Sequence, residues 1–573
     1  MKKRKSKRYL ILGTSHQGMS VEVLRIIRNI ASYYNAIPVH VGPLATNDEI
    51  RMYQRRLEKL VTWEKQEREK IELLSENTQN ELDILYAEIE TANQELKELS
   101  YEDKEFAKID KQIAVMEDKI EKLVEKENLC HERMIGKKER YVKEIKDLLD
   151  AQALRIKTLQ KILPGIHFVC NSSLMIGDKN DRNIPDNKYH NKNWVINSNI
   201  SITATPANGD KVSGSPVTKR TFRMLQKSKM SHIVPHMTPQ TKTFPRPGLN
   251  HAYNFITTGS LQFMEFPERI TDTYKAVAAP SVILLTVDEK IDEFHPERIR
   301  IKKIGDSLKA LHDGLLFSNK SVKELKNTDK AVFITDSHMP YTHLGVIASM
   351  RALNKLHQPS VFIDGGDTGD FESVSRHTEA HPGLREKLRL NNDLDGVKKL
   401  LHAYANKEEF DFIKERVLLD SNHHEWLTSF VDKNPALKGI LDWKTLSKTK
   451  YSEWNLFIRD GGADKYYKFG DLCMKHGDKE TTVSGFEIYN NYLAGHSHTY
   501  DEFCDGIKIG PACSLGPKYL QNSANSWQNN ICSITKSNNV TCKHPKIVLH
   551  SEDKMLSRFC YRGQIYEVKY YKF

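Results

Sequence analysis

From about Arg51 to Leu163 the chain runs with almost no glycine or proline, dense in Glu and Lys, with apolar residues at helical spacing. A stretch this long without breakers has to be helical, and its polar surplus leaves only a narrow apolar seam to bury. Ile109, Ile113, Met116, Ile120 and Leu123 step by 4, 3, 4 and 3 positions, which keeps that seam facing a partner helix. Leu57, Leu60, Ile71, Leu74, Leu82, Leu85, Ile89, Leu96 and Leu99 repeat the pattern less cleanly. It breaks around Ser100–Asp103, so two antiparallel helices joined by a turn are expected, with arms of about 50 residues spanning roughly 75 Å. One helix in an intermolecular coiled coil is the alternative. Pro164 and Gly165 end the segment in either case.

The full 573 residues leave room for about three to five units. Hydrophobic residues make up 39% and charged residues 28%, enough for real cores and against wholesale disorder. With 86 Lys+Arg against 75 Asp+Glu, the net charge of +11 favours polyanionic partners. The eight cysteines include no C-x-x-C pair and are expected as reduced thiols. The start, MKKRKSKRYLILG, has an apolar run shorter than the ~7–15 residues of a signal h-region. No stretch approaches the ~18 apolar residues of a spanning helix. A cytoplasmic protein without membrane contact is expected.

Asp178 to about Pro247 is rich in Asn, Ser, Pro, Lys and Gly and reads as long loops around sparse strands. Strands are expected near Phe255–Thr257 and Ser281–Val287, and a charged helical stretch over Pro296–Lys330. A domain boundary falls near Lys320. Beyond it come five polar clusters, each at or near the end of an apolar run: AVFITDSH (Asp336, Ser337, His338), VFIDGGDTGD (Gly366, Asp367, Asp370), RVLLDSNHHE (Asn422, His423), LCMKHGD (His476, Gly477) and YLAGHSHT (Gly495, His496, His498). Strands ending this way bring such side chains to the carboxyl edge of a sheet, where α/β proteins gather ligands. Imidazole with carboxylate oxygen suits Mn²⁺, Fe²⁺ or Zn²⁺, whereas Ca²⁺ and Mg²⁺ rely on oxygen. Seven candidate ligands exceed one ion's needs and divide between two ions ~3.5–4 Å apart that share a carboxylate and a hydroxide. Singly each cluster is as easily a loop accident; the ordered series is what carries weight.

The order D-x-H, G-D-x-x-D, N-H, H-G, G-H-x-H resembles the calcineurin-like metallophosphoesterases from about Ala331 to Ser514. DSHMPY, GGDTGDFESVSRH and SNHHEWL are similar to a phage and bacterial branch of that superfamily. The resemblance implies a four-layer α/β sandwich flanked by helices over residues 321–573. It implies that Asp336, His338 and His498 hold one ion, that Asn422, His476 and His496 hold the other, and that Asp367 bridges. His423 would protonate the leaving oxygen, a task imidazole can perform near pH 7. Ser421 stands where the family usually has glycine, and the extra His424 competes as the acid. Asp370 is a candidate to orient a ligand; Arg376 and His377 are candidate phosphate contacts or solvated loop residues.

The opening YLILGTSHQGMSVEVLRIIRNIASYYNAIPVHVGP matches in outline VFITDSHMPYTHLGVIASMRALNKLHQPSVFIDGGD. Thr14 to Pro43 is 29 positions and Asp336 to Asp367 is 31. HFVCNSS (Asn171) stands for RVLLDSNHH, and YNFITTGSLQ (Gly259) for YNNYLAGHSHT, with Ser260 and Leu261 near the terminal histidines. A degenerate copy over 1–50 and 164–320, split by the hairpin at 51–163, is one expectation; a generic α/β domain that imitates kinship is the other.

The superfamily does not select a substrate. The helical hairpin, positive balance and accessory half resemble its nucleases, and the phage-like motifs resemble enzymes that degrade host DNA in the host cytoplasm. The leading expectation is a Mn²⁺-dependent DNase, with Fe²⁺, Zn²⁺ or Mg²⁺ as alternative ions, binding DNA through its phosphates with little sequence preference. A phosphoprotein or nucleotide phosphatase is an alternative, as is a coiled-coil scaffold that binds a host or phage protein. Self-association is expected.

Overall fold

The computed structural model describes residues 1–13, 20–42, 47–98, 104–170, 188–191, 193–204, 219–236, 238–246, 252–261, 264–265, 277–278, 280–375, 388–441, 454–457, 466–477, 491–516 and 526–571. The chain divides into two compact units: Ala45–Ile156 with Met175–Asn183, and the remainder.

In the smaller unit, helices Asn47–Glu98 and Lys104–Ile162 run antiparallel. Arg56 pairs with Glu144, Glu64 with Lys138, and Ala92 packs with Ile109 and Ile113, so one index falls as the other rises. The seam expected from the spacing of Ile109, Ile113 and Met116 is the one that packs. The turn expected at Ser100–Asp103 lies outside the described residues.

The larger unit is mixed α/β and contains the same architecture twice. Its core strands in the first half are β1 (Lys7–Leu12), β2 (Ile37–Val41), β3 (His167–Cys170), β4 (Tyr189–Asn191), β5 (Asn193–Asn197), β6 (Ile200–Thr203), β7 (Ser231–Val234), β8 (Gln240–Phe244), β9 (Tyr253–Thr257), β10 (Ser281–Asp288) and β11 (Glu293–Ile304). Those of the second are β12 (Lys330–Ile334), β13 (Val361–Asp364), β14 (Glu415–Leu419), β15 (Asn455–Phe457), β16 (Tyr467–Phe469), β17 (Leu472–Met474), β18 (Tyr492–Ala494), β19 (Asp501–Phe503), β20 (Gly506–Lys508), β21 (Asn530–Ser537) and β22 (Val540–Ile547).

In the first half β1 to β4 are parallel neighbours, with β10 and then β11 antiparallel on the far side of β1. In the second, β12 to β15 are parallel neighbours, with β21 and then β22 antiparallel beyond β12. A second sheet in each half follows the order β5-β6-β7-β9-β8 and β16-β17-β18-β20-β19, with matching parallel and antiparallel pairs throughout. The helices Val21–Tyr34 and Leu344–His357 occupy the same place, after the first strand of each half.

Because side chains alternate across a strand, Ala331 and Phe333 of β12 face the second sheet, while Val332 and Ile334 pack under the helix Leu344–His357. Both faces are therefore apolar, as a strand covered on both sides requires. In the first half Tyr9 and Ile11 face Ile200, Ile202, Ile233 and Ile256 in the same way.

The two halves join where β8 and β19 pair antiparallel, with Lys242 opposite Asp501 and Thr241 opposite Glu502. The boundary expected near Lys320 falls inside a hairpin of the first half's sheet, between Leu315–Phe317 and Val322–Glu324, and the two halves share one ten-stranded sheet. Glu502 is buried beneath this seam, accepting from Arg298 Nε at 3.0 Å, Arg300 Nη2 at 2.7 Å and Thr241 Oγ1 at 2.8 Å. The stretch Pro296–Lys330, expected as helix, is instead β11 followed by strands Ser307–His312, Leu315–Phe317 and Val322–Glu324. Asp178–Pro247 likewise supplies four strands of the shared sheet and the helix Lys219–Ser228. Among the described residues no helix is long and apolar enough to cross a membrane.

Candidate metal centre

Five strand ends converge at one edge of the second half. β12 leads into Asp336 and His338, β13 into Asp367, β14 into Asn422, β17 into His476, and β18 into His496 and His498. Five of these seven residues, Asp336, His338, Asp367, His496 and His498, hold left-handed backbones with φ between +45° and +67°. Such conformations cost of order 1 kcal/mol or more apiece for a residue with a side chain, and they cluster where a site demands them. Gly366 and Gly477, at φ +99° and +132°, complete the turns; a Cβ on Gly366 would meet His476 Nδ1 at 2.9 Å.

The side chains form two facing groups. In the first, His498 Nε2 lies 3.1 Å from both Asp336 Oδ1 and His338 Nε2. In the second, His476 Nε2 lies 3.1 Å from Asp367 Oδ2, Asn422 Oδ1 and His496 Nδ1. Asp367 Oδ2 is also 3.7 Å from His338 Nε2, so this one carboxylate borders both groups.

Hydrogen bonding does not account for the arrangement. The Nδ1–H of His476 already serves the Gly365 carbonyl at 2.9 Å, and that of His338 the Asp370 carboxylate at 2.9 Å. With the outer N–H held in this way, each ring can turn an Nε2 lone pair inward to a cation once that nitrogen is deprotonated. A proton on His476 Nε2 could satisfy only one of its three neighbours. Donors around a common cation at ~2.0–2.2 Å lie roughly 3 Å from one another, which is the spacing of these atoms. Each of the two groups could hold a metal ion.

Without them the site is electrostatically loaded. Burial pushes the Asp336 and Asp367 carboxyls up, but the imidazoles of His498 and His476 overcome it and hold both below the usual carboxylate range. Burial pulls His476 down, yet Asp367 and Asp336 raise it to about 9. Behind them Asp364, buried and bonded by Gly366 N and Thr368 Oγ1, is pushed up to about 7 by loss of water.

His423 stands beside the groups. Its Nδ1 donates to the Asp370 carbonyl at 2.7 Å, and its Nε2 lies 3.9 Å from Asp367 Oδ2. Burial lowers its pKa, against the pull of Asp367 and Asp370. Asp370 thus fixes two rings, His338 through its carboxylate and His423 through its backbone. His424 is fully buried, with Nδ1 4.0 Å from Asp420, and burial lowers its pKa to about 3. Ser421 is extended at φ −149° and accepts from Asp367 N at 3.0 Å. Arg376 and His377 lie outside the described residues.

Glu297, His312 and Asp313 form another acidic and imidazole cluster, in the first half. It already contains a cation: the buried Lys546 ammonium pairs with Glu297 and lies 2.7 Å from Asp313 Oδ2.

No protein-family model, curated protein or solved structure matches this chain. Function has to be read from the site itself.

Sequence patterning missed the two tryptophans that border the centre. Trp426 lies 3.9 Å from the His423 ring and Trp527 4.2 Å from that of His498. Trp426 carried a signal, since it follows His423 by one helical turn. Trp527 comes from a segment with no motif of its own.

Proposed function

We propose that the chain is a dinuclear metallophosphoesterase, of the calcineurin-like kind and its phage and bacterial branch, and that it hydrolyses the phosphodiester backbone of DNA. The observation that supports this reading is the pair of facing ligand groups bordering a common Asp367, built from five strand ends in the motif order. Asp336, His338 and His498 would hold one divalent cation, and Asn422, His476 and His496 the other, with Asp367 between. Mixed imidazole and carboxylate donors suit Mn²⁺ best, ahead of Fe²⁺, Zn²⁺ or Mg²⁺. When bound, two such ions supply Lewis-acid neutralisation of phosphoryl charge and bring the pKa of water towards neutrality.

The remaining steps belong to side chains. Asp370 holds His423 by its Nδ1–H, so the proton available for transfer sits on Nε2. His423 gives that proton to the leaving oxygen of the cleaved P–O bond, which would otherwise depart as an alkoxide. Asp370 also holds His338 in the tautomer that turns its Nε2 inward. Ser421 fixes the backbone of Asp367, and with it the carboxylate between the two groups. The surplus of Lys and Arg favours a polyanion over a neutral substrate. The phage-like motifs point to degradation of host DNA in an infected cell.

The test is digestion of plasmid, linear duplex and single-stranded DNA by the full-length protein with Mn²⁺, Mg²⁺ or Zn²⁺. Degradation with Mn²⁺ that EDTA abolishes is the expected result. Hydrolysis of bis-p-nitrophenyl phosphate with every DNA left intact would overturn the DNase assignment, and no hydrolysis of either would overturn the enzyme.

A further inference from the structure

Five aromatic rings form a continuous row beside the metal centre. Trp426 packs on His423 at 3.9 Å between centroids, His423 on His338 at 4.7 Å, His338 on His498 at 5.0 Å, and His498 on Trp527 at 4.2 Å. The imidazoles belong to the centre. The indoles do not, and they cannot become ligands, because an indole nitrogen is a donor only.

Both tryptophans are set by the chain rather than by chance. Trp426 lies on the helix Asn422–Lys433, which starts at a ligand, one turn beyond the acid His423. The backbone of Trp527 is bridged to Thr499, the residue after His498. Each is therefore coupled to the site through both its ring and its main chain. The two indoles at the ends of the row stay partly exposed, while His338 and His498 within it are 4% and 8% exposed.

We propose that Trp426 and Trp527 are stacking platforms for the nucleobases on either side of the scissile phosphate. This deepens the DNase reading and rests on it. A phosphate at the centre carries a nucleoside on each side, and at each end of the row an indole meets solvent. Every base has a π-face, so stacking grips the strand without choosing a sequence, as a degradative nuclease requires. The substrate is then a base-bearing strand, and not any polyanion of matching charge.

The experiment compares kcat/KM, with Mn²⁺, for a single-stranded oligodeoxynucleotide and a strand of equal length made of abasic tetrahydrofuran units. The wild-type protein is expected to favour the base-bearing strand by about tenfold, the size of one to two stacking contacts. Trp426→Leu and Trp527→Leu, which fill the space without an aromatic face, should each bring that ratio towards one; the Trp→Phe variants should retain it. A merely structural tryptophan would lower both rates together and leave the ratio unchanged, which overturns the proposal. A wild-type protein that cuts DNA with no base preference also overturns it, with the DNase reading intact. Hydrolysis of bis-p-nitrophenyl phosphate with both strands left whole defeats the DNase reading instead.

Discussion

Matched strand pairs allow the two halves of the larger unit to be compared position by position. Leu12 pairs with His40 where Ile334 pairs with Asp364, so Thr14 stands for Asp336, His16 for His338 and Pro43 for Asp367. Phe168 pairs with His40 where Leu418 pairs with Asp364, which sets Ser172 at the place of Asn422. Ile202 opposite Ile233 matches Met474 opposite Leu493, which puts Ala204 at the place of His476. Val234 opposite Thr257 matches Ala494 opposite Lys508, so His236 and Thr238 stand for His496 and His498. Thr14, His16, Pro43 and Ser172 themselves lie outside the described residues. At the seven corresponding positions the sequence of the first half has two imidazoles, His16 and His236, and no carboxylate. The eleven-strand frame is held by pairing and core packing, which a handful of loop substitutions leaves untouched; the chemistry is not.

The sharpest break between the halves should be Asp367→Ala. Removing the shared carboxylate is expected to abolish hydrolysis and to release bound metal, read by mass spectrometry of the dialysed protein. His423→Ala should cost about 10²–10⁴-fold in turnover while metal content stays, the signature of a lost acid and not of a lost ligand. Retained metal in Asp367→Ala, or full activity in His423→Ala, would undo those assignments.

A subtler contrast sits at Gly495, where an added Cβ would collide with the carboxylate of Asp336 and with Thr335; the first half has Pro235 in that position. Gly495→Ala should weaken metal binding about 10–100-fold, by displacing Asp336. A titration that matches the wild type would mean that the loop yields.

The seam between halves carries its own prediction. Glu502→Gln removes the carboxylate that Arg298 and Arg300 share, leaving Arg298 without an acidic partner while Arg300 keeps Asp505, and should lose about 3 kcal/mol in urea unfolding. Burial pushes the Glu502 pKa up, but the two guanidinium groups outweigh it and hold it at about 2. Its contribution is therefore complete above the unfolded value of ~4.5 and drains away as the pH falls towards 2. Between pH 5 and 3 the wild-type protein should lose more stability than the Gln variant; parallel curves would remove Glu502 from the account. The smallest effect is expected from His236→Ala. It loses a bond from Thr238 N to His236 Nδ1, about 1 kcal/mol, with hydrolysis and metal content unchanged.

How much of this was legible in the sequence depended on how local the cause was. The hairpin and the strand-end clusters announced themselves, because helical spacing and apolar runs ending in Asp, Asn or His are short-range signals. β11 did not. Its Ile299 and Ile301 alternate with Arg298, Arg300 and Lys302, and that charge reads as a solvated helix until Glu502 and Asp505, some two hundred positions away, bury it. The duplication was visible at its start, yet Gly259 was matched to Gly495. It follows β9, the counterpart of β20, so its true equivalent is Gly510, and VPHMT is the segment that answers AGHSH. A composition rich in Asn, Ser and Pro had hidden the intervening strands. Ser421 looked like a defect beside a ligand; the hydroxyl turns out to hold Asp367, in a backbone that needs no glycine.

Metal stoichiometry tests the central claim most directly. Protein saturated with Mn²⁺ and freed of excess should hold two ions per chain, and anomalous scattering should locate both between Asp336 and Asn422 with none at His236. No ions, a single ion distant from Asp367, or a second pair in the first half would contradict it.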